Sequence, residues 1–124
     1  MYTILIVDDE PLILKILKEV LQSKNLHILT AQNGLEALET VREQIPHLVL
    51  CDVQMPGLNG FGFCEKLRKI HHPPVPFVFM SSELHLHNLR RAYELGALDF
   101  IAKPFHLLEL RRRLSRHFPG SCPW

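Results

Sequence analysis

No stretch of the 124 residues approaches the roughly 20 consecutive apolar residues that a membrane-spanning helix needs. Charge of one sign is equally absent, since 14 Lys and Arg against 13 Asp and Glu leave a formal net charge of +1. That balance argues against a dedicated nucleic-acid binder, which carries a clear basic excess. Cysteine is scarce, and Cys51, Cys64 and Cys122 follow no metal-ligand spacing. They read as reduced thiols in a soluble cytoplasmic protein, not as a disulfide framework. Met1 to Asp9 hold no basic leader, and their apolar run is too short for a signal peptide. Internal repeats and low-complexity segments are missing as well. What remains is a chain with 47% hydrophobic residues, enough to bury one core without staples. The expectation is one domain over residues 1–118, with 119–124 a tail or the start of a linker.

Short apolar runs alternate five times with helical patterns. The runs are 4–7, 27–30, 48–51, 76–80 and 99–102. Three of them are apolar at nearly every position, the pattern of parallel strands buried on both faces. Between them, Ile13, Ile16, Leu17, Val20 and Leu21 predict one helical stripe, opened by Pro11. Ala37, Leu38 and Val41 predict a second, and Phe63, Cys64, Leu67 and Ile70 a third. Leu86, Leu89 and Tyr93 predict the fourth, and Leu107, Leu110, Leu114 and Phe118 the fifth. Strands alternating with helices in this way give an α/β fold, a three-layer sandwich with right-handed crossovers.

Asp8 and Asp9 follow the first run, Asp52 the third, Ser81 the fourth and Lys103 the fifth. In a parallel sheet these positions share one edge, at the carboxyl ends of the strands, where open α/β sheets bind ligands. If the first and third strands are neighbours, three carboxylates crowd one pocket, and a cation must join them for all to stay ionised. Oxygen donors of this kind suit magnesium, which keeps waters and favours a phosphate partner. A lysine and a hydroxyl nearby suit phosphoryl oxygens. The chemistry implied is phosphoryl transfer to a carboxylate.

These residues carry a resemblance. Asp8-Asp9, Asp52, Ser81 and Lys103-Pro104-Phe105 resemble the receiver family of two-component response regulators. The stretch from Asp52 to Gly60 is similar to that family's phosphorylation-site loop, and Gly96-Ala97 precedes the fifth strand as it does there. The resemblance covers residues 3 to 117 and implies a flavodoxin-like parallel sheet in the order 2-1-3-4-5. It implies that Asp52 is the phosphoacceptor, served by a sensor histidine kinase or a histidine phosphotransfer protein. Asp8, Asp9 and Asp52, with the backbone carbonyl of Gln54, would hold Mg2+. Lys103 would meet a phosphoryl oxygen, across a Lys-Pro bond that is typically cis in this family. Ser81 and Phe100 would form the switch pair, Phe100 standing where the family more often has Tyr. The fourth helix, fifth strand and fifth helix would carry output contacts or a homodimer. Such a domain is a signalling switch that catalyses only its own phosphorylation and dephosphorylation.

Plainer roles stand beside these. Asp8, Asp9 or Glu10 can cap the first helix, Ser81 or Ser82 the fourth, and Phe100 can be ordinary core. Leu12 and Leu14 lie off the first stripe and would form an exposed docking patch for a phosphotransfer partner. Gln54 and Glu83 flank the site and would tune removal of the phosphoryl group by water. The arginines at 111, 112, 113 and 116 read as a solvated basic face near a helix end. His85 and His87 fall on different sides of a helix and do not chelate together. Two rival readings are a haloacid-dehalogenase-type phosphatase and a receiver that works without phosphorylation. In the phosphatase family an Asp-x-Asp pattern ends the first strand; here that strand ends in adjacent aspartates.

Overall fold

The computed structural model describes residues 1–120 and 123–124. Cys122, expected as a reduced thiol, lies outside the described residues; Cys51 and Cys64 are free and buried. The described residues form the strands β1 (Tyr2–Val7), β2 (Leu26–Ala31), β3 (Leu48–Asp52), β4 (Phe77–Ser81) and β5 (Asp99–Ala102). Between and after them run the helices α1 (Pro11–Leu21), α2 (Gly34–Glu43), α3 (Gly60–Ile70), α4 (Leu86–Glu94) and α5 (Leu107–Ser115). Every strand pair is parallel and the order is β2-β1-β3-β4-β5, as the resemblance implied.

The central strands explain the layering. Each residue of β3 and β4 is buried, so successive side chains leave for opposite faces and both faces need cover. On one face Leu5, Val49, Phe77 and Phe79 pack with Ala37, Val41, Phe63 and Leu67 of α2 and α3 and Ala92 of α4. On the other, Ile4, Ile6, Leu50 and Met80 pack with Leu14, Leu17 and Leu21 of α1 and Leu110 and Leu114 of α5.

Two helices, α1 and α4, turn other faces to the core than the sequence suggests, while α3 buries Phe63, Cys64 and Leu67 as expected. In α1 the buried residues are Leu14, Leu17 and Leu21, while Ile16 is 38% exposed and Leu12 is 66% exposed. Apolar residues surround the first two turns, so periodicity alone does not select the inner face; the sheet does. The expected patch at Leu12 and Leu14 is therefore corrected, because Leu14 is core. In α3, Ile70 lies at the helix end and is exposed. In α4 the buried residues are Asn88 and Ala92, and Leu86 and Tyr93 face outward. The amide of Asn88 donates to the carbonyl of Glu83 at 3.1 Å, which holds this polar face inward.

Pro119 to Trp124 was expected as a tail or linker. The indole of Trp124 donates to the carbonyl of Leu21 at 2.8 Å and stands edge-on to Phe118. The hydroxyl of Ser23 donates to the carbonyl of Pro123 at 2.6 Å.

Candidate functional site at the carboxyl edge of the sheet

Register places the site. Val7 pairs with Cys51, so Asp8 and Asp52 leave the sheet side by side. Asp52 pairs with Met80, and Ser81 pairs with Ala102, one residue before Lys103. The five residues singled out from sequence thus sit along the carboxyl ends of β1, β3, β4 and β5. Gly60 lets α3 start close to this edge, since a Cβ there would lie 2.2 Å from the carbonyl oxygen of Asp52.

Asp8 is fully buried and its carboxylate is doubly engaged. Oδ1 accepts from the N–H of Glu10 at 3.0 Å, and Oδ2 accepts from Nζ of Lys103 at 2.6 Å. The first contact is a turn bond at the entry to α1, and Glu10, which stands at the N-cap, makes no side-chain capping bond. Asp52 is 7% exposed and lies 3.5 Å from the same ammonium. Burial pushes the carboxyl of Asp52 up to about 6, against the pull of Lys103 and with the help of Asp8 and Asp9. Burial works against the Lys103 charge, but the hydrogen bond to Asp8 and the field of Asp52 outweigh it and raise its pKa. The Lys103–Pro104 peptide is cis, as the resemblance implied.

Asp9 is exposed at the rim. Asp8, Asp9 and Glu10 each bring a carboxylate oxygen within 4.8 Å of the others. Sequence reasoning gave Glu10 only a capping role, although its adjacency to the aspartates was a signal. Hard oxygen donors with charge to spare are the chemistry of a magnesium site, so the residues fit that ion. Thiol or imidazole ligands are not part of the group.

Ser81 is fully buried, and its hydroxyl accepts from the N–H of Glu83 at 3.0 Å. Helix α4 begins later, with His85 at the N-cap, so neither Ser81 nor Ser82 caps it. Phe100 is buried with its ring 6.4 Å from that of Phe79. Across the mouth, the side-chain amide of Gln54 donates to Glu83 at 2.7 Å. This bond, with His85 beside it, holds the exposed Glu83 carboxyl below its ordinary value.

Next to the rim lies an apolar cavity of about 470 Å³, walled by Ile13, Ile16, Pro104, Phe105 and Leu107. Sequence reasoning did not find it, because α1 and the segment after β5 meet only in the fold.

Fold and rim together define a flavodoxin-like α/β domain with an acidic site at the carboxyl edge of its sheet. Residues 4–115 match the response regulator receiver domain, and the chain belongs to that family. It is 40% identical over 111 residues to a probable transcriptional regulator, ycf27, of Pyropia yezoensis, covering 90% of this chain and 45% of that protein. The chain thus spans about half the length of such curated relatives. It is also 34% identical to sporulation initiation phosphotransferase F of Bacillus subtilis, covering 94% of this chain and 93% of that one. Among solved structures, the chemotaxis protein CheY4 of Vibrio cholerae superposes with a TM-score of 0.88 at 27% identity, over 95% of this chain and 99% of that one.

Receiver domains are signalling switches of two-component systems, and the family match favours that reading over the phosphatase one. Among the described residues, no helix is long and apolar enough to cross a membrane.

Proposed function

We propose that Asp52 takes a phosphoryl group from the phosphohistidine of a sensor histidine kinase or a histidine phosphotransfer protein. One observation carries this most: a buried aspartate shares a lysine ammonium with a second, fully buried aspartate. A carboxylate oxygen of Asp52 attacks phosphorus, the phosphorus–nitrogen bond of the donor breaks, and its imidazole leaves with a proton from solvent.

Asp8, Asp9 and Asp52, with the main-chain carbonyl of Gln54, would hold Mg2+. That ion would supply positive charge to offset the carboxylates and the incoming phosphoryl group. Lys103 neutralises the second side of the transferring group. Because the Ser81 hydroxyl accepts its bond from Glu83, its own proton remains to be donated to a phosphoryl oxygen. Movement of Ser81 toward the product opens space beside Phe100, whose ring follows. Phe100 lacks a phenol, so the readout is packing and not a hydrogen bond. Small shifts of β4 and α4 then bias the surface of α4, β5 and α5, used for output contacts or a homodimer. The phosphodonor docks on the apolar cavity that Ile13 and Ile16 of α1 form with Pro104, Phe105 and Leu107. In this reading the domain works in the cytoplasm and binds neither nucleic acid nor membrane directly.

Beryllofluoride tests the assignment, since it is a stable mimic of a phosphoryl group on a carboxylate. Fluorine NMR of the chain with Mg2+ and beryllofluoride is expected to give a bound signal that vanishes with EDTA or in Asp52→Asn. A bound signal that survives in Asp52→Asn contradicts the reading.

A further inference from the structure

The connection from β4 to α4 carries a side-chain cluster that the phosphoryl chemistry leaves unused. Its sequence runs Glu83-Leu84-His85-Leu86-His87, with polar and apolar positions alternating. A spacing of two would separate the histidines on a helix. His85 instead stands at the N-cap of α4 with extended backbone, φ −94° and ψ 160°, and only His87 lies in the helix. The expected separation of the two is therefore corrected: their rings are nearly parallel, with centroids 6.3 Å apart. On its other side, Nε2 of His85 lies 3.4 Å from Oε2 of Glu83.

Three properties fit this cluster to a transition-metal ion. Two ligands about 2.1 Å from zinc at the tetrahedral angle stand roughly 3.4 Å from one another, the separation that His85 and Glu83 already have. The side-chain amide of Asn88 lies 3.5 Å from the same Nε2, and as a donor there it selects the tautomer whose lone pair is on that nitrogen, the form that binds a metal. When a metal takes the lone pair, Asn88 keeps its bond to the carbonyl of Glu83 at 3.1 Å. His87 completes the set by turning its exposed ring, a motion that costs only rotamer freedom. Two imidazoles and a carboxylate, with water in a fourth position, are a borderline donor set, different in kind from the all-oxygen group at Asp8, Asp9 and Glu10. A plain ion pair between His85 and Glu83 needs a protonated imidazole and gives His87 no part.

We infer that Glu83, His85 and His87 bind a divalent transition-metal ion of the zinc type, and that the bound ion draws Glu83 away from Gln54. Both claims turn on one atom, because Oε2 of Glu83 also accepts the bond from the Gln54 amide at 2.7 Å. An ion on that oxygen competes with the amide for its electrons and opens the clasp across the mouth of the site. The magnesium group shares no carboxylate with this cluster. The effect on the phosphoryl group rests on the proposed phosphorylation of Asp52; the metal site does not.

Isothermal titration calorimetry of the full chain with Zn2+, in excess Mg2+ to occupy the carboxylate group, is the test. One ion per chain is expected to bind saturably, and His85→Ala or His87→Ala should weaken it about tenfold or more. His71→Ala/His72→Ala, at the far end of α3, should leave the affinity unchanged. His85 and His87 are exposed, and circular dichroism verifies the fold of each variant. After phosphorylation by acetyl phosphate, Zn2+ should shorten the lifetime about threefold in the parent and have no effect in His85→Ala/His87→Ala. No saturable binding, or an unchanged affinity in both histidine variants, overturns the inference whether or not Asp52 takes a phosphoryl group. Zinc bound at the histidines without effect on a measured lifetime overturns the link to the clasp. A chain that binds zinc there yet gains no phosphoryl mass supports the metal site and counts against the reading of Asp52 alone.

Discussion

The ammonium of Lys103 lies 2.6 Å from Asp8 and 3.5 Å from Asp52, so one cation serves two buried carboxylates that stand 44 positions apart in the chain. The lysine is thus a structural counterion as well as the proposed phosphoryl partner. Removing it leaves two negative charges with burial to oppose them.

Lys103→Ala is accordingly expected to lower unfolding free energy by about 2 kcal/mol in EDTA, because a part-buried pair loses one member. Millimolar Mg2+ should restore part of that loss, since binding to the folded state adds stability by mass action. Urea unfolding in both buffers measures it, and an unchanged midpoint in EDTA would contradict the account.

Asp52 carries the opposite signature. Its folded carboxyl, raised to about 6, binds protons more tightly than in the unfolded chain. Its contribution to stability is therefore complete below the ordinary carboxylate range and is lost as pH rises through about 6. In EDTA at pH 7.5, Asp52→Asn should be more stable than the parent by about 1–2 kcal/mol. The difference should shrink as pH falls toward about 4. A pH-independent difference would sink this reading of the site.

The Gln54–Glu83 hydrogen bond joins the loops on either side of the proposed phosphoryl group. Glu83→Ala removes the clasp and is expected to shorten the lifetime of the phosphorylated state about threefold, an increment of under 1 kcal/mol in the barrier. Lifetimes followed by intact mass after dilution decide it, and a longer lifetime is the contrary result.

At the far edge, Arg113→Ala uncovers the carbonyl of Phe100 and takes the main partner from Asp99. The expected cost is about 1 kcal/mol, since this pair is partly solvent-screened. The Asp99 carboxyl is held low by its hydrogen bonds from Arg113 and the Phe100 N–H, against the effect of burial. Its contribution is thus present above the unfolded carboxylate value and lost as pH falls through the lower folded one, so the cost should fade in acid. Thermal melts of both chains between neutral and acid pH measure it; a cost that grows in acid is the opposite outcome.

The core assignment of α1 separates two neighbouring leucines. Leu14→Ala is expected to destabilise by about 2–4 kcal/mol and Leu12→Ala by under about 0.5 kcal/mol. Equal effects would mean that the helix turns another face to the sheet.

Strand positions and the shared rim were legible in the sequence because their signals are local. Apolar runs mark buried parallel strands, and Asp8, Asp52, Ser81 and Lys103 end or follow them. Helix faces were less legible. Leu12, Ile13, Leu14, Ile16 and Leu17 encircle α1, so no stripe stands out, and in α4 a polar residue, Asn88, takes an inward place through its bond to Glu83. The Gln54–Glu83 clasp and the Asp99–Arg113 closure join residues 29 and 14 positions apart, and no local pattern announces such pairs.

Intact mass analysis after incubation with acetyl phosphate and Mg2+ tests the central claim most directly. The account predicts a gain of one phosphoryl group that requires the ion and is absent in Asp52→Asn. An unchanged mass in the parent chain, or the same gain in the variant, would contradict it.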